Sequence, residues 1–127
     1  TKSYGVENLI GAETVRQAAG LAFVELDLIR VMGKEEPVKI FTLVGDEAMA
    51  ESKEFKTWMA AHNAMLAAYR TGDFDCAMQD IKEAGEAMAA AESSLANYYE
   101  IYQKRIIDLV KNPPGDAWDG VFIAKNK

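Results

Sequence analysis

Cysteine occurs once in the 127 residues, as Cys76, and histidine once, as His62. A single thiol excludes an internal disulfide and suits a reducing compartment, which points to the cytoplasm. Cys76 is expected to behave as a small, partly buried apolar residue. No apolar run approaches the ~20 residues of a membrane helix, and no signal peptide is visible. The chain opens on Thr1 rather than Met, as a trimmed piece of a longer protein would. Basic residues are the minority: 14 Lys and Arg against 20 Asp and Glu give a formal charge of −6, with no basic block or stripe. Phosphate-backbone binding needs clustered cations, so nucleic acid is not an expected partner. A Gly-rich phosphate loop, a nucleophile–base pair and a cysteine cluster are also absent from the sequence.

What is present suits a soluble α+β chain, with hydrophobic residues at 50% and charged ones at 27%. The character changes near Gly45. Before it, short apolar runs alternate with turn formers; after it, Ala, Met and Glu recur at helical spacing. Residues 6–10 read as a short strand. Residues 11–20 read as a brief helix, with Glu13 early and Gly20 as its stop. Residues 22–31 alternate, placing Val24, Leu26 and Leu28 on one face and Glu25 and Asp27 on the other. Residues 32–37 read as a turn, and residues 38–44 alternate again, completing a β-hairpin. Such a small sheet needs cover from elsewhere.

Three helices are predicted beyond Gly45. In residues 52–70 the stripe is Phe55, Met59, Leu66 and Tyr69. Thr71-Gly72-Asp73 breaks this helix, and Asp73 caps a second one with Phe74, Ala77, Met78 and Ile81 on its apolar face. Phe74 and Ala77 are expected to be buried between these two helices. Ser93 or Ser94 is expected to cap a third, with Leu95, Tyr98, Tyr99, Tyr102, Ile106 and Leu109 inward. Asn112-Pro113-Pro114-Gly115 ends it, and the apolar stretch 118–123 is expected to dock in extended form. Gly72-Asp73-Phe74-Asp75 followed by Ala77, Ile81 and Ala84 resembles the turn and second helix of one tetratricopeptide unit.

The run Tyr4-Gly5-Val6, then Phe23-Val24-Glu25-Leu26-Asp27-Leu28, Val31-Met32-Gly33-Lys34 and Glu36-Pro37-Val38-Lys39-Ile40-Phe41 resembles the end of a class III adenylate/guanylate cyclase catalytic domain. The tail, with Pro113, Pro114, Trp118, Asp119, Gly120 and Val121, is similar to that of bacterial members. The resemblance implies that residues 1–45 are the strand, helix and hairpin that close a ferredoxin-like catalytic domain. Residues 46–127 would be a three-helix, tetratricopeptide-like tail with an extended apolar terminus. It implies a parent enzyme that turns ATP into cyclic AMP, or GTP into cyclic GMP, as a dimer with Mg or Mn. The metal-binding aspartates and the Asn and Arg that orient the substrate would precede Thr1, so this chain itself would hold no catalytic and no metal-binding residue. The family's phosphate-contacting lysine falls at Met32, which leaves Lys34, the motif's second lysine, as the remaining nucleotide-binding candidate. Losing such a cation forfeits about 3 kcal/mol of transition-state stabilisation.

A different class of function is a non-enzymatic helical interaction or dimerisation module with a vestigial cyclase segment. The open, two-sided apolar hairpin favours self-association into a homodimer, and the helical tail suits a protein partner. His62 has Trp58 and Leu66 one turn away on either side, so it reads as a surface or interface residue rather than a metal ligand or base. Glu47 with Glu51 and Glu83 with Glu86 read as solvated helix faces. Met49, Met59, Met65, Met78 and Met88 read as core filler. Tyr98, Tyr99 and Tyr102 read as packing for the third helix.

Overall fold

Apolar alternation and helical spacing resolve into nine elements in the computed structural model, which describes residues 4–6, 8–31, 36–93, 95–115 and 118–124. In chain order they are β1 (Ile10–Gly11), α1 (Ala12–Gln17), β2 (Ala22–Val31), β3 (Val38–Gly45), α2 (Glu47–Glu51), α3 (Lys53–Arg70), α4 (Phe74–Ala90), α5 (Ala96–Lys111) and β4 (Phe122–Ala124). The chain is α+β. One sheet runs in the order β1-β3-β2-β4. The β2–β3 hairpin and the β1–β3 pair are antiparallel, whereas β4 lies parallel to β2 with Ile29 opposite Phe122. Met32 and Lys34 lie outside the described residues.

The strand expected over residues 6–10 is shorter than its pattern suggests. Only Ile10 and Gly11 pair with β3. Asn8 intervenes with its side chain: its Oδ1 accepts from Leu43 N at 2.9 Å and from Thr42 Oγ1 at 3.0 Å, replacing a backbone rung. Val6 is instead buried in the core beside Tyr4.

The alternation of β2 is broken by a bulge. Glu25 pairs with Phe41 and Asp27 with the adjacent Ile40, so Leu26 has no partner in β3. An extra residue in one strand turns the following side chains to the opposite face. Asp27, expected outward with Glu25, is therefore fully buried next to Leu26, while Leu28 is only half-buried.

The helices begin and end where their side chains can satisfy loose backbone groups. Asp46 Oδ1 accepts from Met49 N at 3.1 Å to cap α2. Ser52 closes α2 by donating to Met49 O at 2.7 Å and caps α3 by accepting from Phe55 N at 3.1 Å. Asp73 caps α4, with Cys76 N at 3.3 Å. The C-terminus of α4 is a Schellman motif: Ser93 N reaches Met88 O at 3.2 Å and Glu92 N reaches Ala89 O at 3.0 Å. Its left-handed position is held by Glu92 at φ 58° instead of the usual glycine. The N-cap position of α5 is Leu95, with no side-chain cap bond, rather than the expected Ser93, whose backbone N–H closes α4; Ser94 lies outside the described residues.

Segments on both sides of position 45 share one core. Tyr4, Val24 and Leu26 are clustered with Trp58, Ile81 and Tyr102. α4 contributes Ala77, Ile81, Ala84 and Met88 as its buried stripe, while Phe74, expected fully inside, is half-buried against Tyr69 and Trp118. Two glycines allow the chain ends to seat on the helices. At Gly5 (φ +65°) an added Cβ would lie 2.6 Å from Asn97 Cβ, and at Gly120 (φ +77°) 2.8 Å from Arg70 Cα. No side chain fits at either approach.

Candidate functional site

The bulge in β2 gathers the chain's densest set of buried polar groups. Asp27 Oδ2 accepts from Tyr4 Oη at 2.8 Å and from Arg105 Nη1 at 2.9 Å. Its Oδ1 accepts from Tyr102 Oη and from Leu28 N, each at 2.9 Å. The carbonyl of the unpaired Leu26 accepts from Tyr98 Oη at 2.5 Å and lies 3.0 Å from Tyr102 Oη, whose single hydrogen it shares with Asp27 Oδ1. These partners come from helical spacing: Tyr98, Tyr102 and Arg105 recur at i, i+4 and i+7 on α5 and so face β2 together. Arg105 lies over the rings of Phe122 at 4.0 Å and Tyr102 at 4.7 Å. Burial works against its charge, but Asp27 beside it outweighs that and holds its pKa above the ordinary range. Burial first, and then the neighbouring Asp27, raise the Tyr4 hydroxyl; burial also raises Tyr98 and Tyr102 far above the usual phenol range, so all three remain donors at any physiological pH.

A second chain of hydrogen bonds runs through His62, which the structure moves from the expected surface to the core, fully buried. Trp58 Nε1 donates to Tyr99 Oη at 2.8 Å. The Tyr99 hydroxyl then donates to His62 Nδ1 at 2.6 Å, and His62 Nε2 donates to the carbonyl of Glu25 at 2.5 Å. Because an indole only donates and a carbonyl only accepts, these links fix the neutral imidazole with its hydrogen on Nε2. Burial is the main cause that lowers the His62 pKa to about 4. Glu25, whose carbonyl ends this chain, places its carboxylate 2.7 Å from Arg70 Nη1 and 3.9 Å from Lys39 Nζ.

The chemistry open to these groups is narrow. A carboxylate offers about four acceptor positions, and Asp27 has four donors, leaving none for a substrate or a metal. Both nitrogens of His62 are occupied. The two networks instead hold the bulge carbonyls of Glu25 and Leu26 against α3 and α5, a device that covers a strand from the side where sheet pairing is interrupted. Arg105 was legible in principle, since a cation in the Tyr98–Tyr102 stripe demands a buried acid. The bulge that delivers Asp27 to it had no signal, because no glycine marks the position.

The other expected sites fall apart in space or on the surface. Glu47, Glu51, Glu83 and Glu86 are exposed on their helices, as read. Cys76 is exposed rather than partly buried, since it follows the Asp73 cap on the outer side of α4's first turn. Among the described residues no group of three or more His, Cys, Asp or Glu is placed to hold a metal ion, and no helix is long and apolar enough to cross a membrane. The nucleotide-binding candidate Lys34 and the phosphate-lysine position Met32 are outside the described residues. A surface cleft of about 650 Å³ opens where the α3–α4 turn meets the end of α5. No family model, no curated protein and no solved structure matches this chain.

Proposed function

We propose that this chain is the closing segment of a class III nucleotidyl cyclase, bringing no catalytic group of its own and bracing the end of the catalytic sheet. The supporting observation is the order of elements. The short helix α1 and the antiparallel β2–β3 hairpin follow one another in the order expected of the resembled family, while Tyr4-Gly5-Val6, a strand in that family, is a turn here with only Ile10–Gly11 paired; helices then grip the hairpin through Asp27. In the parent, ATP becomes cyclic AMP, or GTP cyclic GMP, at a cytoplasmic site shared by two copies. Mg or Mn ions bound by residues outside this chain would neutralise phosphate charge there. Lys34, between β2 and β3 in the sequence, is the residue of this chain assigned to the nucleotide. The α3–α4 hairpin serves as a tetratricopeptide-like unit, with Ala77 and Ala84 as the small residues at its helix contact.

The test is direct. Antibodies raised against this chain recover the native protein from its cells, which is assayed with ATP or GTP and Mn²⁺. A longer polypeptide that forms cyclic nucleotide is the expected result, with no turnover by the 14.0 kDa chain alone above a heat-treated control. A native polypeptide of this mass and no cyclic nucleotide would contradict the assignment. A second reading, a helical interaction module, is favoured by the cleft beside α5.

A further inference from the structure

We propose that the cleft between the α3–α4 turn and the end of α5 docks a short segment of a partner protein that alternates cationic and apolar side chains. The inference deepens the interaction reading and uses no residue of the hairpin, so its failure and that of the cyclase assignment appear in different assays.

One wall is aromatic and fixed. Trp118 donates its indole N–H to Tyr69 O at 3.1 Å, and the Phe74 ring meets Trp118 at a centroid distance of 5.9 Å. Leu109, Val110, Pro113 and Pro114 line the cleft as well. The prolines have little conformational freedom to lose, and a preformed wall lowers the ordering cost of binding. The volume, about 650 Å³, is ample for a few side chains.

Charge selects among occupants. The lining includes Asp73 and Asp75, on either side of Phe74, and no lysine or arginine among the described residues. Both carboxylates are exposed and within reach of an incoming cation, with Asp73 Oδ1 also capping α4. The thiol of Cys76, one residue further on, is pushed up chiefly by its hydrogen bond to Asp73 and that group's charge, with Asp80 and Asp75 adding to it. That marks a negative field at the start of α4. A cation beside aromatic rings and carboxylates is held by both kinds of group. The apolar surface also runs past the cleft: Val110 is 55% exposed and Ile107, one turn earlier on α5, 45%. A surface longer than the cavity suits a chain segment better than a free small molecule.

Fluorescence anisotropy with the intact chain and a fluorescein-labelled, amidated hexapeptide of alternating Arg and Leu tests the proposal. Saturable binding is expected, about tenfold weaker for the matching Glu–Leu peptide. In ¹⁵N spectra the indole N–H of Trp118 should shift on binding, while that of Trp58, buried beside Tyr99, stays in place. Asp75→Asn with Val110→Lys should weaken binding about fivefold with an unchanged circular dichroism spectrum. Glu86→Gln, which removes the same charge elsewhere on α4, should leave binding unchanged. Equal binding of the two peptides, equal weakening by Glu86→Gln, full displacement by equimolar arginine amide, or a silent Trp118 signal would each overturn the assignment.

Discussion

Neutralising Asp27 leaves the Arg105 guanidinium buried among Tyr69, Tyr102 and Phe122 with no counter-ion. Breaking a buried pair from one side is far more damaging than the pair's net worth. Asp27→Asn is therefore expected to lower stability by about 3–5 kcal/mol in urea unfolding. Combined with Arg105→Gln, the loss should fall short of the sum by at least about 1 kcal/mol; additive losses would mean that the two groups act separately. His62 sets an acid limit. Its folded pKa, about 4, lies below the ordinary 6.5, so the unfolded chain binds the extra proton first. The stability it contributes is complete above about pH 6.5 and is lost as pH falls towards 4, by up to about 3 kcal/mol. His62→Gln should flatten that part of a stability–pH curve, and an unchanged slope would refute the assignment. These two residues also show where sequence reading fails. Alternation through Glu25 and Asp27 is uninterrupted on paper, and the bulge at Leu26 depends on Tyr98 and Tyr102, more than seventy positions away. The burial of His62 has no local signal either, because its partners, Tyr99 and the Glu25 carbonyl, each lie 37 positions away.

At the scale of elements the local chemistry was far more legible. Asp73 as a cap, the Thr71-Gly72 break, the proline stop after α5 and the inward tyrosines follow from nearest-neighbour rules, and each is present in the structure. The α5 start was not legible, because its N-cap position is held by Leu95, a residue with no side-chain group to cap with. That end holds an inexpensive improvement. Glu92 sits in the left-handed region at φ 58°, so Glu92→Gly should raise stability by about 0.5–1 kcal/mol, measurable as a higher melting temperature. A loss instead would show that Glu92 holds α4 by a contact of its side chain. Ala77 is fully buried between helices, and Ala77→Leu should cost about 1–3 kcal/mol through overpacking. Phe74, being only half-buried, should lose less on truncation to Ala than the 3–5 kcal/mol typical of a core phenylalanine.

Across the whole molecule, the composition shift near Gly45 separates two styles of sequence that share a single core. The outer strands of the sheet are only two and three residues long, so the β2–β3 hairpin needs cover, and α5 reaches it through side chains that bind the bulge carbonyl and Asp27. Bracing of the hairpin by the helices is the physical basis of the proposed role, in which it would hold the end of a catalytic sheet in place. Native-state hydrogen exchange on the intact chain measures that bracing directly. The account predicts that the amides of β2 and α5 open with the same free energy, close to that of global unfolding, and that Asp27→Asn lowers both together. Exchange from β2 at a much lower free energy than from α5, unmoved by Asp27→Asn, would show that helices and hairpin fold separately and would contradict the account.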